Sequence, residues 1–255
     1  MTRENRLRAK FAAGQKCLGI WGMAINTIYT EILGAAGYDF VILDNEHGPS
    51  MPGDTLPHIQ LLSHMNVPTV VRVPWNDQVY LKRVLDAGAE SVMVPMVETA
   101  EQAKAVVSAC RYPPQGQRSF GPWRDAGLER DIDAWWREAN KRTFVMVQIE
   151  SAKAVENVEA IAAVDGVDAL FIGPNDLSGT IGKLRQYDDP QFLKLVATAL
   201  QAIRKAGKPV GVVPYGKKTI AQLFDDGFDM VAAQTELTLI AGAARADVAA
   251  NRWKK

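Results

Sequence analysis

Glu150 closes the apolar run that ends in Gln148-Ile149-Glu150, and Asp176 follows the next such run in Phe171-Ile172-Gly173-Pro174-Asn175-Asp176. Two carboxylates delivered to the ends of neighbouring strands are oxygen donors for a hard divalent cation, with water and substrate oxygens completing the shell. Magnesium, manganese and cobalt all suit such a donor set. Helix capping is the competing account, with Glu150 ahead of Ser151 and Asp176 ahead of Leu177 each solvating a helix start. Gly173-Pro174 favours a site, because a glycine lets backbone amides approach an anionic ligand closely.

Catalytic groups of parallel barrels cluster where the strands end. That rule adds Trp21, the run Asp44-Asn45-Glu46-His47, Arg72, Gln148 and Asn175. His47 titrates near neutrality and suits proton transfer, whereas His58 and His64 fall in a helical pattern as surface or packing residues. Arg72 puts a charge into Val70-Val71-Arg72-Val73. A buried guanidinium needs an anion, and a substrate carboxylate or developing enolate is the expected one. Asp86 ends a helical segment before Gly88, where on its own it would only solvate the helix end, and Trp21 and Trp123 have the ordinary alternative of core aromatics. GxGxxG and P-loop patterns, a serine or cysteine elbow and a strand-end lysine are all missing. Nucleotide binding and imine chemistry are therefore disfavoured.

These residues need a frame, and the sequence supplies one. Short β-branched runs at Cys17 to Met23, Asp39 to Leu43, Thr69 to Val73, Ser91 to Met96, Thr143 to Ile149, Ala169 to Ile172, Pro209 to Val213 and Met230 to Ala233 alternate with segments of helical period. Eight nearly continuous apolar strands, buried on both faces, predict a parallel (β/α)8 barrel. Gly37, Gly88, Gly166, Gly207 and Gly227 precede strands and suit left-handed helix closure. Thr99 with Gln102 forms a capping box, and Arg6 to Phe11 reads as a helix over the barrel floor. The connection Arg111 to Arg142 is long and carries aromatics and arginines, which predicts a lid or a subunit contact.

Composition sets the remaining bounds. The chain has 255 residues, 47% hydrophobic, with 29 basic against 29 acidic residues. One domain over residues 1–255 is expected, acting on small molecules rather than nucleic acid or membrane. Two distant cysteines, a polar N-terminus without a signal peptide and the lack of an apolar span point to the cytoplasm.

Six ordered blocks resemble the HpcH/HpaI class II aldolases, and the resemblance covers nearly the whole chain. They are Ile42-Leu43-Asp44-Asn45-Glu46-His47-Gly48-Pro49, Val71-Arg72-Val73-Pro74-Trp75-Asn76-Asp77, Val94-Pro95-Met96-Val97, Arg111-Tyr112-Pro113-Pro114, Val147-Gln148-Ile149-Glu150 and Phe171-Ile172-Gly173-Pro174-Asn175-Asp176-Leu177-Ser178. The resemblance implies a TIM barrel of the phosphoenolpyruvate/pyruvate type. In it Glu150 and Asp176 are ligands of a divalent metal that chelates pyruvate, with Gln148 beside them. Backbone amides around Gly173, Pro174 and Asn175 would hold the pyruvate carboxylate. Arg72 would reach the keto or enolate oxygen, His47, oriented by Asp86, would transfer protons, and Asp44 and Trp21 match pocket positions.

The implied reaction is reversible cleavage of a 4-hydroxy-2-oxo acid, of the 2-keto-3-deoxy sugar acid or 4-hydroxy-2-oxoheptanedioate type, to pyruvate and an aldehyde. A homohexamer with the C-terminal helix exchanged between subunits is implied too, and Leu237 to Ala250 is apolar enough to take part. Asn45, Asn175, Gln234 and the stretch Arg118 to Arg124 depart from the family pattern and bear on the aldehyde pocket. Two alternatives stand beside the aldolase: an acyl-CoA lyase of the same superfamily, and a non-catalytic metal- or keto-acid-binding protein.

Overall fold

The computed structural model describes residues 4–24, 26–124 and 131–252. Its eight strands are β1 (Cys17–Gly22), β2 (Phe40–Asp44), β3 (Thr69–Arg72), β4 (Ser91–Val94), β5 (Phe144–Ile149), β6 (Ala169–Ile172), β7 (Val210–Val212) and β8 (Met230–Thr235). They pair in parallel in chain order, and β8 returns to β1 to close the barrel. The expected (β/α)8 architecture is therefore present, with each strand boundary within two residues of its expected place.

Alternation along the strands divides the core in two. Val41, Val71, Val92, Val145 and Ile172 face the helices. Phe40, Ile42, Met93, Phe144, Met146, Phe171 and Met230 fill the barrel interior. Two glycines make room for that filling, since a Cβ on Gly19 would stand 2.2 Å from the Phe40 ring and one on Gly211 2.4 Å from the Phe171 ring. The five punctuating glycines 37, 88, 166, 207 and 227 all have positive φ, as left-handed helix closure requires. The Thr99 capping box is formed with Gln102.

The helix Arg6–Ala12 closes the floor. Leu7 is fully buried among the interior side chains. Arg6 pairs with Glu90 at 2.7 Å, Arg8 with Asp168 at 2.9 Å and Lys10 with Asp39 at 2.9 Å. Each acid lies just ahead of β4, β6 or β2, so the pins fix the plug over the ends where those strands begin. Part-exposed pairs of this kind add little energy individually, and the apolar contact of Leu7 carries most of the closure.

The long connection was expected to be a lid or a subunit contact, and its described part does not serve as a lid. Part of it is a helix, Ile132–Arg142, whose buried Trp135 and Ala139 pack with Tyr112. Tyr112, Phe120, Trp135 and Trp136 stack together, and the Arg118 guanidinium lies 4.4 Å over the Tyr112 ring. Arg118 also pairs with Asp86 at 2.7 Å. Because the barrel helices run back against the strands, the connection leaves the helix Ala100–Cys110 on the floor side. There it borders a cavity of about 140 Å³ with Asn5, Thr69, Glu90 and Thr143. Its described part is thus no lid over its own strand ends, and residues 125–130 of the connection lie outside the described residues, as do the two ends of the expected 1–255 domain.

The C-terminal helix Glu236–Asn251 buries only Glu236 and leaves Leu237, Leu239, Ile240 and Val248 exposed. No described helix is long and apolar enough to cross a membrane. Truncating the floor plug by Leu7→Ala should lower the unfolding free energy by about 2–5 kcal/mol in urea titration; a loss below about 1 kcal/mol would mean that the plug contributes nothing to the barrel.

Candidate active site

Strand register builds the first half of the site. β2 and β3 align Asp44 opposite Arg72. Arg72 Nε donates to Asp44 Oδ1 at 2.8 Å and a terminal nitrogen donates to Oδ2 at 2.6 Å. The other terminal nitrogen is 3.0 Å from a Glu46 carboxylate oxygen, and the guanidinium carbon lies 4.3 Å over the Trp21 ring. A bidentate, stacked arginine is held far more firmly than a single ion pair holds a lysine. The buried anion that the guanidinium needs is Asp44, 1% exposed, so a substrate oxygen would be a further partner of Arg72 rather than the one that neutralises it. Asp44 Oδ1 also accepts the backbone N–H of Glu46 and of His47, at 3.0 and 3.3 Å. One carboxylate thus aims the guanidinium and shapes the turn that carries His47.

Glu46 entered from sequence only as part of the strand-end run Asp44-Asn45-Glu46-His47, without a role of its own. Burial raises its pKa, against the pull of Arg72 and His47, and Asp44 and Asp176 push it further up. The sign is that of a carboxylate held out of water, for which the neighbouring arginine and histidine offset only part of the cost.

Glu150 forms the second half. Its Oε1 accepts the Met96 N–H at 2.7 Å, and its Oε2 accepts from Gln148 Nε2 at 2.9 Å. Burial pushes the Glu150 carboxyl up to about 7; the Met96 N–H and Arg72 oppose that rise, while Glu46 and Asp176 add to it. Helix capping is excluded for Glu150, since Ser151 caps the following helix by accepting the Ala154 N–H. Gly173 makes the geometry possible: a Cβ there would stand 2.5 Å from Glu150 Oε2. Met96, expected only as a strand end and as part of the block Val94-Pro95-Met96-Val97, has φ of 53° while donating to Glu150. A non-glycine residue in that region costs on the order of 1–3 kcal/mol.

Asp176 lies in the first turn of the helix Pro174–Thr180. The Gly173 N–H donates to Ile149 O at 3.1 Å, so it is not available to a substrate carboxylate. Pro174 has no N–H, which leaves the first-turn amides of Asn175 and Asp176 as the anion donors. The Asn175 side chain accepts from the Tyr187 hydroxyl.

Trp21, Asp44, His47, Arg72, Gln148, Glu150, Gly173, Pro174, Asn175 and Asp176 together line one cavity of about 520 Å³ at the strand ends. Asp86 does not join them. It ends the helix Gln78–Asp86 on the floor side and meets Arg118, so within one chain it does not orient His47. His58 is a packing residue, 2.6 Å from the Thr30 hydroxyl, and Trp123 is exposed rather than core.

The donor set fits a divalent cation. Asp44, Glu46, Glu150 and Asp176 share the rim with one guanidinium, and Gln148 Oε1 is buried without a hydrogen-bond partner. Oxygen ligands with uncompensated negative charge are what a hard cation takes. Among the described residues no group of three or more His, Cys, Asp or Glu could hold a metal by itself. Glu150 and Asp176 would therefore need water or substrate oxygens as further ligands.

Fold and rim together define a parallel barrel of the enzyme-bearing class, with carboxylates and a fixed guanidinium around one cavity at the strand ends. The chain belongs to the HpcH/HpaI aldolase/citrate lyase family, whose model matches residues 18–243. It is 44% identical over 236 residues to the 4-hydroxy-2-oxovalerate aldolase of Novosphingobium aromaticivorans, covering 91% of this chain and 88% of that protein. It is 36% identical to the 5-keto-4-deoxy-D-glucarate aldolase of Klebsiella pneumoniae, with 91% of each chain covered. The crystal structure of an HpcH/HpaI aldolase/citrate lyase family protein from Burkholderia cenocepacia superposes with a TM-score of 0.92 at 31% identity, covering 98% of this chain and all of that one.

The raised Glu150 pKa gives a pH prediction. An unfolded carboxyl titrates near 4.3, so from there to about 7 the metal-free folded protein binds more protons than the unfolded chain. The contribution of Glu150 to stability therefore falls as pH rises through that window. Glu150→Gln should remove this slope, leaving the metal-free variant about 1–3 kcal/mol more stable than the parent at pH 8 and no more stable at pH 4 in urea titration. Parallel stability curves for the two proteins would contradict the assignment.

Proposed function

We propose that the chain is a divalent-metal-dependent aldolase that reversibly cleaves a 4-hydroxy-2-oxo acid, of the 2-keto-3-deoxy sugar acid or 4-hydroxy-2-oxoheptanedioate type, to pyruvate and an aldehyde. The observation that carries this is the convergence of Glu150, Asp176, Arg72 and His47 on one cavity at the strand ends. The two aldolases named above support it by their likeness over nine-tenths of this chain.

Glu150 and Asp176 would hold magnesium, manganese or cobalt, which supplies Lewis acidity for charge developing on the 2-oxo oxygen. The first-turn amides of Asn175 and Asp176 bind the substrate carboxylate. Arg72, held rigid by Asp44, Glu46 and Trp21, directs a terminal N–H to the same 2-oxo oxygen and costs no reorganisation when charge appears there. His47 removes the proton of the 4-hydroxyl oxygen as the C3–C4 bond breaks and the electron pair passes into the enolate of pyruvate. The proton taken up by His47 is then given to C3, which yields the methyl group and restores the base; in synthesis His47 takes a methyl proton of pyruvate and gives it to the aldehyde oxygen.

An acyl-CoA substrate would bring several phosphates to the rim, yet Arg72 is the only lysine or arginine among the described residues of the cavity. The exposed apolar residues of the helix Glu236–Asn251 support assembly of copies, for which we propose a homohexamer of one-domain chains with that helix exchanged, working in the cytoplasm.

Pyruvate release from a 4-hydroxy-2-oxo acid, followed with and without exhaustive chelation, tests the reaction. Turnover should vanish on chelation and return with manganese; turnover that survives would contradict metal dependence, and ligand binding without turnover would favour the non-catalytic protein. His47→Ala should lower kcat by about 10²–10⁴. Arg72→Ala should lower it by at least about 10², and if both variants kept full turnover the assigned roles would be wrong.

A further inference from the structure

One wall of the cavity is braced from behind. The chain leaves the helix Pro174–Thr180 and folds back on it before the helix Pro190–Lys205 begins. Two side chains tie the returning segment to Asn175. The Ser178 hydroxyl, fully buried, donates to Asn175 O at 2.7 Å and accepts the Arg185 N–H at 3.0 Å. The Tyr187 hydroxyl donates to Asn175 Oδ1. Tyr187 is fixed in turn by its ring, whose centroid lies 5.6 Å from that of Phe192 and 6.1 Å from that of Tyr215, both buried. A side-chain amide has one acceptor end and one donor end. Asn175 lines the cavity, whereas Tyr187 is not among its described lining residues. With Oδ1 engaged by Tyr187, the group that Asn175 has left to offer is Nδ2, which makes no hydrogen bond among the described residues. Flipped, the amide would add an acceptor to a rim that already carries Asp44, Glu150 and Asp176, and would repel an anionic substrate.

We propose that Tyr187 fixes the flip of the Asn175 amide so that Nδ2 donates to the 1-carboxylate of the 2-oxo acid, which makes Asn175 a side-chain binding residue and Tyr187 its positioning residue. The inference rests on the aldolase function proposed above, which brings that carboxylate to Asn175; it adds a side-chain donor and the tyrosine that aims it. The contact has its own kinetic signature. The carboxylate carries the same charge in the 2-oxo acid, in the enolate and in pyruvate, so a donor to it binds ground state and transition state alike. Its loss therefore raises KM and leaves kcat largely in place. Arg72 contrasts with it, because the 2-oxo oxygen gains charge as the reaction proceeds.

Two measurements test this: calorimetric titration of the manganese-saturated protein with pyruvate, and steady-state cleavage of 4-hydroxy-2-oxopentanoate. Asn175→Ala should weaken pyruvate binding about ten- to a hundredfold and raise KM in proportion, with kcat moving far less. Asn175→Asp keeps an oxygen for the Tyr187 hydroxyl but has no donor, and should bind pyruvate more weakly than Asn175→Ala. Tyr187→Phe keeps the ring and should weaken binding about two- to tenfold by freeing the amide, yet it should add less than about twofold to Asn175→Ala. Parent-like pyruvate affinity in Asn175→Ala or Asn175→Asp would overturn the donor role. A loss of kcat at unchanged KM in Asn175→Ala would overturn the carboxylate assignment, and an equal effect of Tyr187→Phe with and without Asn175 would overturn the positioning role. Pyruvate binding without cleavage by the parent would overturn the aldolase function while the affinities still decide the inference; neither binding nor cleavage by the parent would overturn both.

Discussion

Excess negative charge in a partly dry cleft is the constraint from which the rest of the site follows. Glu46 and Glu150 are both pushed towards their neutral forms by burial, and each feels Asp176 as a further repulsion. Arg72 offsets part of this, but Asp44 claims it through two short hydrogen bonds. A second positive charge is the simplest way to let these carboxylates ionise together. A divalent cation would deliver it where a 2-oxo acid gains negative charge, so the feature that disfavours the ionised carboxylates is also what fits the cleft to that chemistry.

Local backbone features keep the carboxylates in place despite their repulsion. The left-handed turn at Met96 aims an N–H at Glu150, and the missing side chain of Gly173 leaves room for the carboxylate that receives it. Across the rim, the turn closed on Asp44 fixes Glu46 and His47 relative to Arg72. Glu236 does similar work at the β1 exit by accepting the N–H groups of Met23 and Ala24. Strain and buried charge of this order persist only where a rigid frame over-determines them. The closed barrel, plugged by Leu7 and filled by Phe40, Phe144 and Phe171, is that frame.

The barrel was legible in the sequence because strand runs and helix-closing glycines are local signals, and each of the five glycines takes the positive φ its position suggested. Strand-end placement likewise put Trp21, His47, Arg72, Glu150 and Asp176 on one rim, as the cavity confirms. What sequence did not provide was pairing across strands. Asp44 was not foreseen as the buried partner of Arg72 because it is 28 residues away and becomes its neighbour only through the register of β2 with β3. Glu46 was passed over for the same reason, although the run Asp44-Asn45-Glu46-His47 contained it. The long connection, expected to be a lid or a subunit contact, misled as a lid: helices that run back against the strands deliver it to the floor. Asp86 went with it, held by Arg118. Strain at Met96 had no sequence signal beyond its place after Pro95, since a methionine with positive φ is rare.

The central claim is that one divalent cation completes a cleft whose Glu150 is held partly protonated without it. Calorimetric titration of the metal-free protein with manganese, repeated in buffers of different ionisation enthalpy, measures the protons released on binding. The account predicts a single site that releases close to one proton per ion near pH 6 and almost none near pH 8.5, with the affinity largely lost in Glu150→Gln. Binding that releases no protons at either pH, or that is as tight in the variant as in the parent, would contradict it.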